Sequence, residues 1–225
     1  MPASLFSAGA IFIYKEVTVI SDKFKSLTPD KQGRIINAAL AEFARNGYER
    51  ASTNEIVKEA GISKGSLFVY FNNKKELYLF LLDYAAKVIN KIYGEVDWGE
   101  TDVFERMKAL GLAKFKTYKS HPQAFNFLKA TAYEDSGVVK AEVRKLTNTL
   151  IAEGLEKGYK DIDRSKFRED IDINKALDII SWTMLGFAEQ KRDGVNSIDD
   201  VDLEILEEAN SYFEILQRCF YKKEQ

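Results

Sequence analysis

The sequence predicts an all-α fold, and three observations lead to this prediction. Apolar side chains recur every three or four positions along most of the 225 residues, which is the spacing of one helix face. Proline and glycine, which interrupt helices, number only 3 and 13. No segment shows the sustained alternation of apolar and polar residues that marks a strand. We expect about nine helices, divided between a small N-terminal domain and a larger C-terminal one.

Composition limits the classes of function. Apolar residues make up 45% of the chain and charged residues 30%, as in a globular protein. Cys219 is the only cysteine and His121 the only histidine, so the sequence offers no intrachain disulfide and no multi-cysteine zinc site. A cysteine–histidine nucleophile pair would need both single copies. We therefore expect a cytoplasmic protein without metal or cofactor, and an enzyme is the least favoured class.

The first 27 residues form a predicted variable leader. Residues 5–14 are rich in apolar side chains, but no basic residue precedes them and no clear cleavage site follows. A run of about ten residues is also too short to span a bilayer. We expect neither a secretion signal nor a membrane segment here.

The first predicted helix begins at Thr28, an N-cap residue followed by a proline at the first helical position, and ends at Gly47. Residues 52–55 form a capping box that opens a short helix running to Ala60. A tight turn over 61–63 follows, in which the glycine takes a left-handed conformation and Ser63 caps a second short helix, 64–70.

The remaining helices follow the same signals. Asn73 and Glu76 repeat the capping-box spacing and open a long helix to about Tyr93. Five further helices are predicted at 101–119, 122–133, 137–157, 173–193 and 199–221. Pro122 at a first helical position, Gly158 and Gly194 just past helix ends, and Asp172 as a cap support these bounds. His121 is expected to be an N-cap residue, and 158–171 is the longest predicted loop.

The two short helices and the glycine turn between them predict a helix-turn-helix, the arrangement that lays a second helix in the major groove of DNA. The small core that would fix their angle comprises Ile56, Val57, Ile62, Leu67 and Phe71. The expected exposed face of the second helix comprises Lys64, Gly65, Ser66, Phe68, Val69 and Tyr70. Up to Tyr78 the chain has 11 basic and 8 acidic residues, a net charge of +3 within a chain of net charge −2.

Residues 29–78 resemble the TetR/AcrR family. The resemblance rests on Gly47-Tyr48 and on the run Ser52-Thr53-Asn54-Glu55-Ile56-Val57-Lys58-Glu59-Ala60-Gly61-Ile62-Ser63-Lys64-Gly65-Ser66-Leu67-Phe68-Val69-Tyr70-Phe71-Asn72-Asn73-Lys74-Lys75-Glu76-Leu77. Phe68 stands where tyrosine is common in the family, and Val69 where histidine is frequent. The resemblance implies a DNA-binding domain at 28–78 and a ligand-binding and dimerisation domain at 79–225.

The resemblance also assigns contacts to double-stranded DNA. Phosphate contacts would fall on Thr53, Tyr70 and Lys74. Base-edge or backbone contacts would come from Ser63, Lys64, Gly65, Ser66, Phe68 and Val69. Gly65 is the most informative of these, because a glycine inside a helix costs about 1 kcal/mol against alanine and close approach of the DNA would explain its presence.

For the C-terminal domain the resemblance implies two further sites. In the family, the last two helices pair with their symmetry mates; the candidate interface residues here are Leu203, Leu206, Phe213, Leu216 and Phe220. Large side chains of the central helices line a ligand cavity in the family; the candidates here are Phe115, Tyr118, Phe125, Tyr133, Trp182 and Phe187. Each residue of both sets has the alternative interpretation of an intrachain core position. The cavity would take a small apolar or amphipathic effector.

The leading hypothesis is a ligand-responsive repressor that binds a palindromic operator as a homodimer. A second hypothesis is a helical ligand-binding or partner-binding protein whose helix-turn-helix no longer binds DNA. A helical enzyme is the third, although no catalytic signature accompanies the plentiful Asp and Glu.

Overall fold

The computed structural model describes residues 21–192 and 203–223. These residues form ten α-helices: α1 (Asp22–Lys25), α2 (Pro29–Arg50), α3 (Thr53–Ala60), α4 (Lys64–Phe71), α5 (Lys74–Gly94), α6 (Val103–Ser120), α7 (Pro122–Thr131), α8 (Lys140–Tyr159), α9 (Ile173–Arg192) and α10 (Leu203–Phe220). A 3-10 turn, Arg164–Lys166, lies in the connection between α8 and α9. Extended pairing among the described residues is limited to one bridge, between Phe167 and Tyr221. The all-α prediction is confirmed.

The end of the first predicted helix coincides with a break in α2. Hydrogen bonding continues to Arg50, but Gly47 has a φ of 66° and a ψ of 176°, outside helical geometry. A side chain at this φ would be strained, so glycine is required. The backbone turns at Gly47 and then leads into α3.

One boundary prediction is wrong, and the predicted leader, whose bounds stay a prediction, contains a helix that the sequence did not predict. Residues 22–25 of the predicted leader form α1, because Phe24, only 3% exposed, packs into the neighbouring core. Residues 1–20, the rest of that leader, lie outside the described part, as does Gly194. Gly158 does not follow a helix end; α8 continues through it to Tyr159. The last carbonyls of α8 have an acceptor role elsewhere in the fold, described below, which local sequence does not reveal.

The predicted capping box of α3 is half formed. The Ser52 hydroxyl accepts from the Glu55 N–H at 3.4 Å, as expected. The reciprocal bond does not come from Glu55; the buried carboxylate of Glu42 accepts the Ser52 N–H at 2.8 Å. A side chain of α2 thus supplies the second half of the cap and ties α3 to α2.

The chain divides into two compact units. In its described part, the first consists of 21–90 and 121–153, and so joins α1–α4 and most of α5 to α7 and most of α8. Its core is rich in aromatic rings, with Tyr78 against Phe43 at a ring separation of 4.9 Å and against Phe127 at 5.2 Å. Burial raises the pKa of the Tyr78 hydroxyl. The predicted boundary at Tyr78 stays a prediction.

The second unit consists of 91–120 and of the chain from Gly154 onwards. Its apolar core includes Phe104, which contacts Phe213 at a ring separation of 6.1 Å. Arg106, 1% exposed, donates to the backbone carbonyls of Glu100 and Gly158, the latter at 3.3 Å. The guanidinium satisfies carbonyls at the end of α8, which explains why that helix runs past its glycine.

Neither a membrane helix nor a metal site is found in the described ranges. No helix there combines the length and the apolar character needed to cross a bilayer. No cluster of three or more His, Cys, Asp or Glu side chains within 21–192 and 203–223 could hold a metal ion.

Candidate nucleic-acid interface

The turn between α3 and α4 has the geometry expected from its sequence. Gly61 adopts the left-handed conformation, with φ 65° and ψ 41°. Its N–H donates to the Lys58 carbonyl at 3.3 Å, and the Ile62 N–H donates to the Val57 carbonyl at 3.0 Å. These bonds close the end of α3, so α4 can leave at a steep angle.

A small apolar core holds α3 and α4 together. Ile56, Leu67 and Phe71 are buried, and Val57 and Ile62 pack partly buried against the same cluster. All five positions are those that the sequence predicts. The helix-turn-helix is therefore a packed structure that can present α4 as one rigid element.

The outer face of α4 carries most of the predicted DNA-contacting residues. Ser63, Lys64, Gly65 and Val69 are exposed, and Phe68 is half-buried. The ammonium of Lys64 makes no hydrogen bond or ion pair with any described residue. A lysine at the start of a short exposed helix, with all its donors available, can reach a base edge or a phosphate.

Two serines at the start of α4 bond to each other. The Ser63 hydroxyl accepts from the Ser66 N–H at 3.1 Å, and the two hydroxyl oxygens lie 2.8 Å apart. Ser63 therefore caps α4, as the sequence predicts. The Ser66 hydroxyl is held at the same end of the helix, beside Lys64.

No contact within 21–192 and 203–223 requires a glycine at position 65. Its φ is not positive, and a Cβ built there would meet only the Ser63 Oγ, at an ordinary contact distance of 3.9 Å. The chain could accommodate alanine, which is the better helix former. The described residues therefore give no internal reason for a glycine at this position.

The candidate phosphate contacts Thr53 and Lys74 lie at helix N-termini. Thr53 is the first residue of α3 and the cap is Ser52, so the threonine side chain is not used for capping. Lys74 begins α5, donates to the Glu49 carbonyl at 3.0 Å and lies 4.9 Å from the centre of the Tyr48 ring. Helix N-termini attract anions, because their free N–H groups and the helix dipole point outward.

The expectation that Tyr70 is exposed is wrong. The residue is only 8% exposed, and its ring lies 5.8 Å from that of Phe24. The Ser21 N–H also donates to the Tyr70 carbonyl, at 3.4 Å. Helix α1, which the sequence does not predict, covers this end of α4.

The candidate pocket residues are distributed over both units. Phe125 packs partly buried against the core of the first unit, whereas Tyr133 is 69% exposed. In the second unit, Phe115 and Tyr118 are half-buried on α6. They stay candidates for a ligand site.

The other two pocket candidates lie on α9. Trp182 is 67% exposed, and Phe187 is buried beside Tyr212 of α10 at a ring separation of 5.6 Å. Both residues thus lie on α9, which contacts α10, and both of these helices also carry exposed apolar side chains.

The candidate interface residues of α10 prove to be mixed. Phe213 is buried against Phe104, so it belongs to the core of the chain, because α10 turns this face inward. Leu206, Leu216 and Phe220 are half-buried. The side chain of Leu203, the first residue of α10, lies outside the description.

Exposed apolar side chains lie on α9 and α10, the two helices that the resemblance implies to pair with their symmetry mates, and of these side chains the sequence analysis named only Trp182, as a pocket candidate. These exposed side chains are Ile179, Trp182, Leu185, Tyr212 and Ile215. The two helices contact each other, and Lys191 of α9 pairs with Glu208 of α10 at 2.5 Å. Large exposed apolar side chains on adjacent helices make this surface a candidate for an interaction with a partner.

Sequence reasoning missed three side chains that hold the helix-turn-helix. Phe24 packs on the end of α4, Glu42 completes the α3 cap, and Glu134 accepts the Tyr48 N–H at 2.7 Å. A phenylalanine in a leader and a glutamate on a helix carry no local signal of such contacts. They are recognisable only once the helices are packed.

The helix-turn-helix region is similar to a known family of proteins. A family model described as "Bacterial regulatory proteins, tetR family" matches residues 35–80. An uncharacterised HTH-type transcriptional regulator of Bacillus subtilis, YuxN, is 46% identical over 55 residues, which are 24% of this chain and 19% of the relative. The alignment thus spans about a fifth of that relative's length.

Longer similarities extend beyond this domain. The HTH-type transcriptional repressor KstR2 of Mycobacterium tuberculosis is 24% identical over 166 residues, 68% of this chain and 77% of the relative. A crystal structure of a TetR family transcriptional regulator from Chloroflexus aurantiacus aligns with a TM-score of 0.64 at 22% identity, over 91% of this chain and 99% of the other. The fatty acid degradation regulator FadR from Bacillus halodurans aligns with a TM-score of 0.55 at 22% identity, over 85% and 96%. These structures share the fold of this chain.

Proposed function

We propose that the chain, whose residues 35–80 match the model of the tetR family of bacterial regulatory proteins, is a ligand-responsive repressor that binds a palindromic operator as a homodimer. The observation that carries the proposal is the exposed face of α4. It combines a Lys64 that pairs with no described residue, a glycine that the described residues do not require and a rigid connection to α3. As a DNA-binding protein the regulator would act in the cytoplasm.

We assign the contacts in two groups. Thr53 and Lys74, at the N-termini of α3 and α5, hold phosphates and set the orientation of the domain. Lys64 and Ser66, at the start of α4, reach base edges in the major groove. Gly65 between them allows the backbone to approach the DNA closely.

The homodimer forms through the exposed apolar surface of α9 and α10. A protomer with one helix-turn-helix reads one half-site, so two related copies read an inverted repeat. Trp182, Leu185 and Ile215 would lose their exposure to water in such a pairing, which supplies the hydrophobic driving force.

The effector is a small apolar or amphipathic molecule bound in the C-terminal domain. Apolar and aromatic side chains dominate the candidate residues of α6 and α9, and pockets for such ligands are lined in this way. To release the operator, the effector must bind more tightly to a conformer in which the two α4 helices no longer match successive major grooves.

The test of this function is selection of duplexes from random DNA by the purified protein. We expect an enriched inverted repeat whose half-sites are separated by about one helical turn. If no sequence is enriched, while a small molecule still binds tightly, the protein is a ligand-binding relative without operator binding.

A pair of variants separates the two groups of contacts. Lys74→Ala should weaken binding to selected and scrambled duplexes alike and reduce the salt dependence of the affinity by about one unit per protomer. Lys64→Ala should instead cost about 1 to 3 kcal/mol on the selected duplex and relax discrimination at one base pair. Equal relative losses on both duplexes for the Lys64 variant would make it another phosphate contact.

A further inference from the structure

We propose that Glu134, which lies between α7 and α8, is a positioning residue for DNA binding. It holds the turn that follows the break in α2 at Gly47 and leads into α3, which we call the α2–α3 turn. Through this turn it holds the side chain of Lys74. The inference rests on the proposed function, because Lys74 is a phosphate contact only if the protein binds DNA. It gives a DNA-binding role to a residue 54 positions beyond the last residue, 80, of the matched family model.

The first step is the hydrogen bonding by which Glu134 holds the turn. Its carboxylate Oε2 accepts the Tyr48 N–H at 2.7 Å, and its Oε1 accepts the Ser136 N–H at 2.9 Å. The Tyr48 N–H follows the break in α2 at Gly47, where the helical geometry is interrupted. Glu134 supplies an acceptor for this N–H across 86 positions of sequence.

A second bond holds the next residue of the turn. The Ser136 hydroxyl, itself buried, donates to the carboxylate of Glu49. Tyr48 and Glu49 are thus both held by the short segment 134–136. All these contacts lie within the first compact unit.

The third step leads from the turn to Lys74. Its ammonium donates to the Glu49 carbonyl at 3.0 Å and lies over the Tyr48 ring at 4.9 Å. Both of its supports are therefore on the two residues that the 134–136 segment holds. One ammonium donor is used by the carbonyl, which leaves two for a phosphate oxygen.

This arrangement orders Lys74 before DNA arrives. A free lysine side chain loses rotamer entropy when it is fixed on a phosphate, and an anchored one has already lost part of it. If the turn shifts, the anchors shift with it and the lysine must be ordered at the moment of binding. Glu134 therefore strengthens phosphate binding although it carries a negative charge.

Because Glu134 is negatively charged, the direction in which its removal changes the DNA affinity tests the inference. Removing a carboxylate near DNA should, by electrostatics alone, tighten binding to a polyanion. Removing the positioning contact should weaken it. The neighbouring Asp135 is the matched control, because it is exposed and makes no hydrogen bond or ion pair with any described residue.

The experiment compares Glu134→Gln with Asp135→Asn on the duplex that the wild-type protein selects. Glutamine keeps the shape of the side chain but has one acceptor oxygen, so one of the two N–H bonds is lost. We expect Glu134→Gln to bind about tenfold more weakly than Asp135→Asn, the loss of one charge-assisted hydrogen bond. Binding of both variants equal to or tighter than wild type would overturn the inference.

A double-mutant cycle tests whether the effect passes through Lys74. In a Lys74→Ala background, Glu134→Gln should change affinity by less than about twofold, because the positioned group is absent. The same tenfold loss in both backgrounds would show a general structural role and overturn the proposal. Ser136→Ala, which removes the hydroxyl bond to Glu49 and the bond that this hydroxyl accepts from the Val138 N–H, is the second variant and should follow the same pattern.

The outcomes separate this inference from the proposed function. If the wild-type protein selects no duplex, the DNA-binding proposal fails and this one with it. If the wild type binds and Glu134→Gln behaves like Asp135→Asn, only the positioning role is refuted. Thermal unfolding of each variant verifies that the comparison is made on folded protein.

Discussion

Replacement of Gly65 with alanine should stabilise the protein and weaken its binding to DNA. Gly65 is the second residue of α4, and an added Cβ would have its nearest neighbour, the Ser63 Oγ, at 3.9 Å. No internal clash therefore opposes the gain in helix propensity, which is about 0.5 kcal/mol near a helix end and up to 1 in the interior. For a chain of this size the melting temperature should rise by about 1 to 2 °C.

The same methyl group would stand between α4 and the DNA backbone. A displacement of the helix lengthens the contacts of Lys64 and Ser66, each good base contact being worth about 1 to 3 kcal/mol. We therefore expect at least a tenfold loss of affinity for the selected duplex. Fluorescence anisotropy measures the affinity, and urea denaturation measures the free energy of unfolding.

Gly33→Ala is the matched control. Gly33 lies inside α2, and a Cβ there would meet nothing within 4 Å. This variant should gain similar stability and keep its DNA affinity. If Gly65→Ala binds the duplex as tightly as wild type, close approach of the DNA at α4 is refuted; if it unfolds more easily, the assignment of free space around Gly65 is refuted.

Three further predictions concern other parts of the chain. Trp182→Glu should give folded monomers at micromolar concentration in light scattering, because the side chain is 67% exposed; a persistent dimer would contradict the proposed interface. Phe24→Ala should lower the free energy of unfolding by about 3 kcal/mol in urea denaturation and weaken DNA binding, since Tyr70 loses its cover; unchanged stability would show that α1 does not brace α4. Burial acts to raise the pKa of Asp102, but hydrogen bonds from Lys166 and backbone N–H groups outweigh it and hold the pKa below the ordinary 3.8. The wild-type protein should therefore be more stable than Lys166→Met at pH values above 3.8, and this difference in the free energy of unfolding should disappear as the pH falls through the lowered pKa of Asp102. A difference that persists in acid, in pH titrations of urea unfolding, would contradict this.

Local patterns were sufficient to predict the helices and the helix-turn-helix. Ile56, Leu67 and Phe71 recur at helical spacing, and Gly61 supplies the left-handed turn, so the core of α3 and α4 follows from residues close in sequence. The family resemblance rests on the same stretch. The DNA contacts that the resemblance implies stay predictions. The free space around Gly65 supports its assignment as a point where DNA approaches α4 closely.

What only the tertiary structure decided involves residues far apart in the chain. Glu42 replaces Glu55 in the α3 cap, Phe24 buries Tyr70, and Phe213 turns into the core, none of which periodicity can distinguish from its alternative. A helical stripe shows which side chains are apolar, but the same stripe serves an intrachain core or an interface.

The junction between Glu134 and Tyr48 illustrates the physical reason. The Tyr48 N–H, which follows the break in α2 at Gly47, needs an acceptor, and the position of this break is visible in the sequence as a glycine after a helix. Which group meets the need depends on how α7 packs against α2, which brings a carboxylate from 86 positions away to 2.7 Å. The sequence by itself determines where the backbone must be satisfied, and the packing of distant helices determines by which side chain.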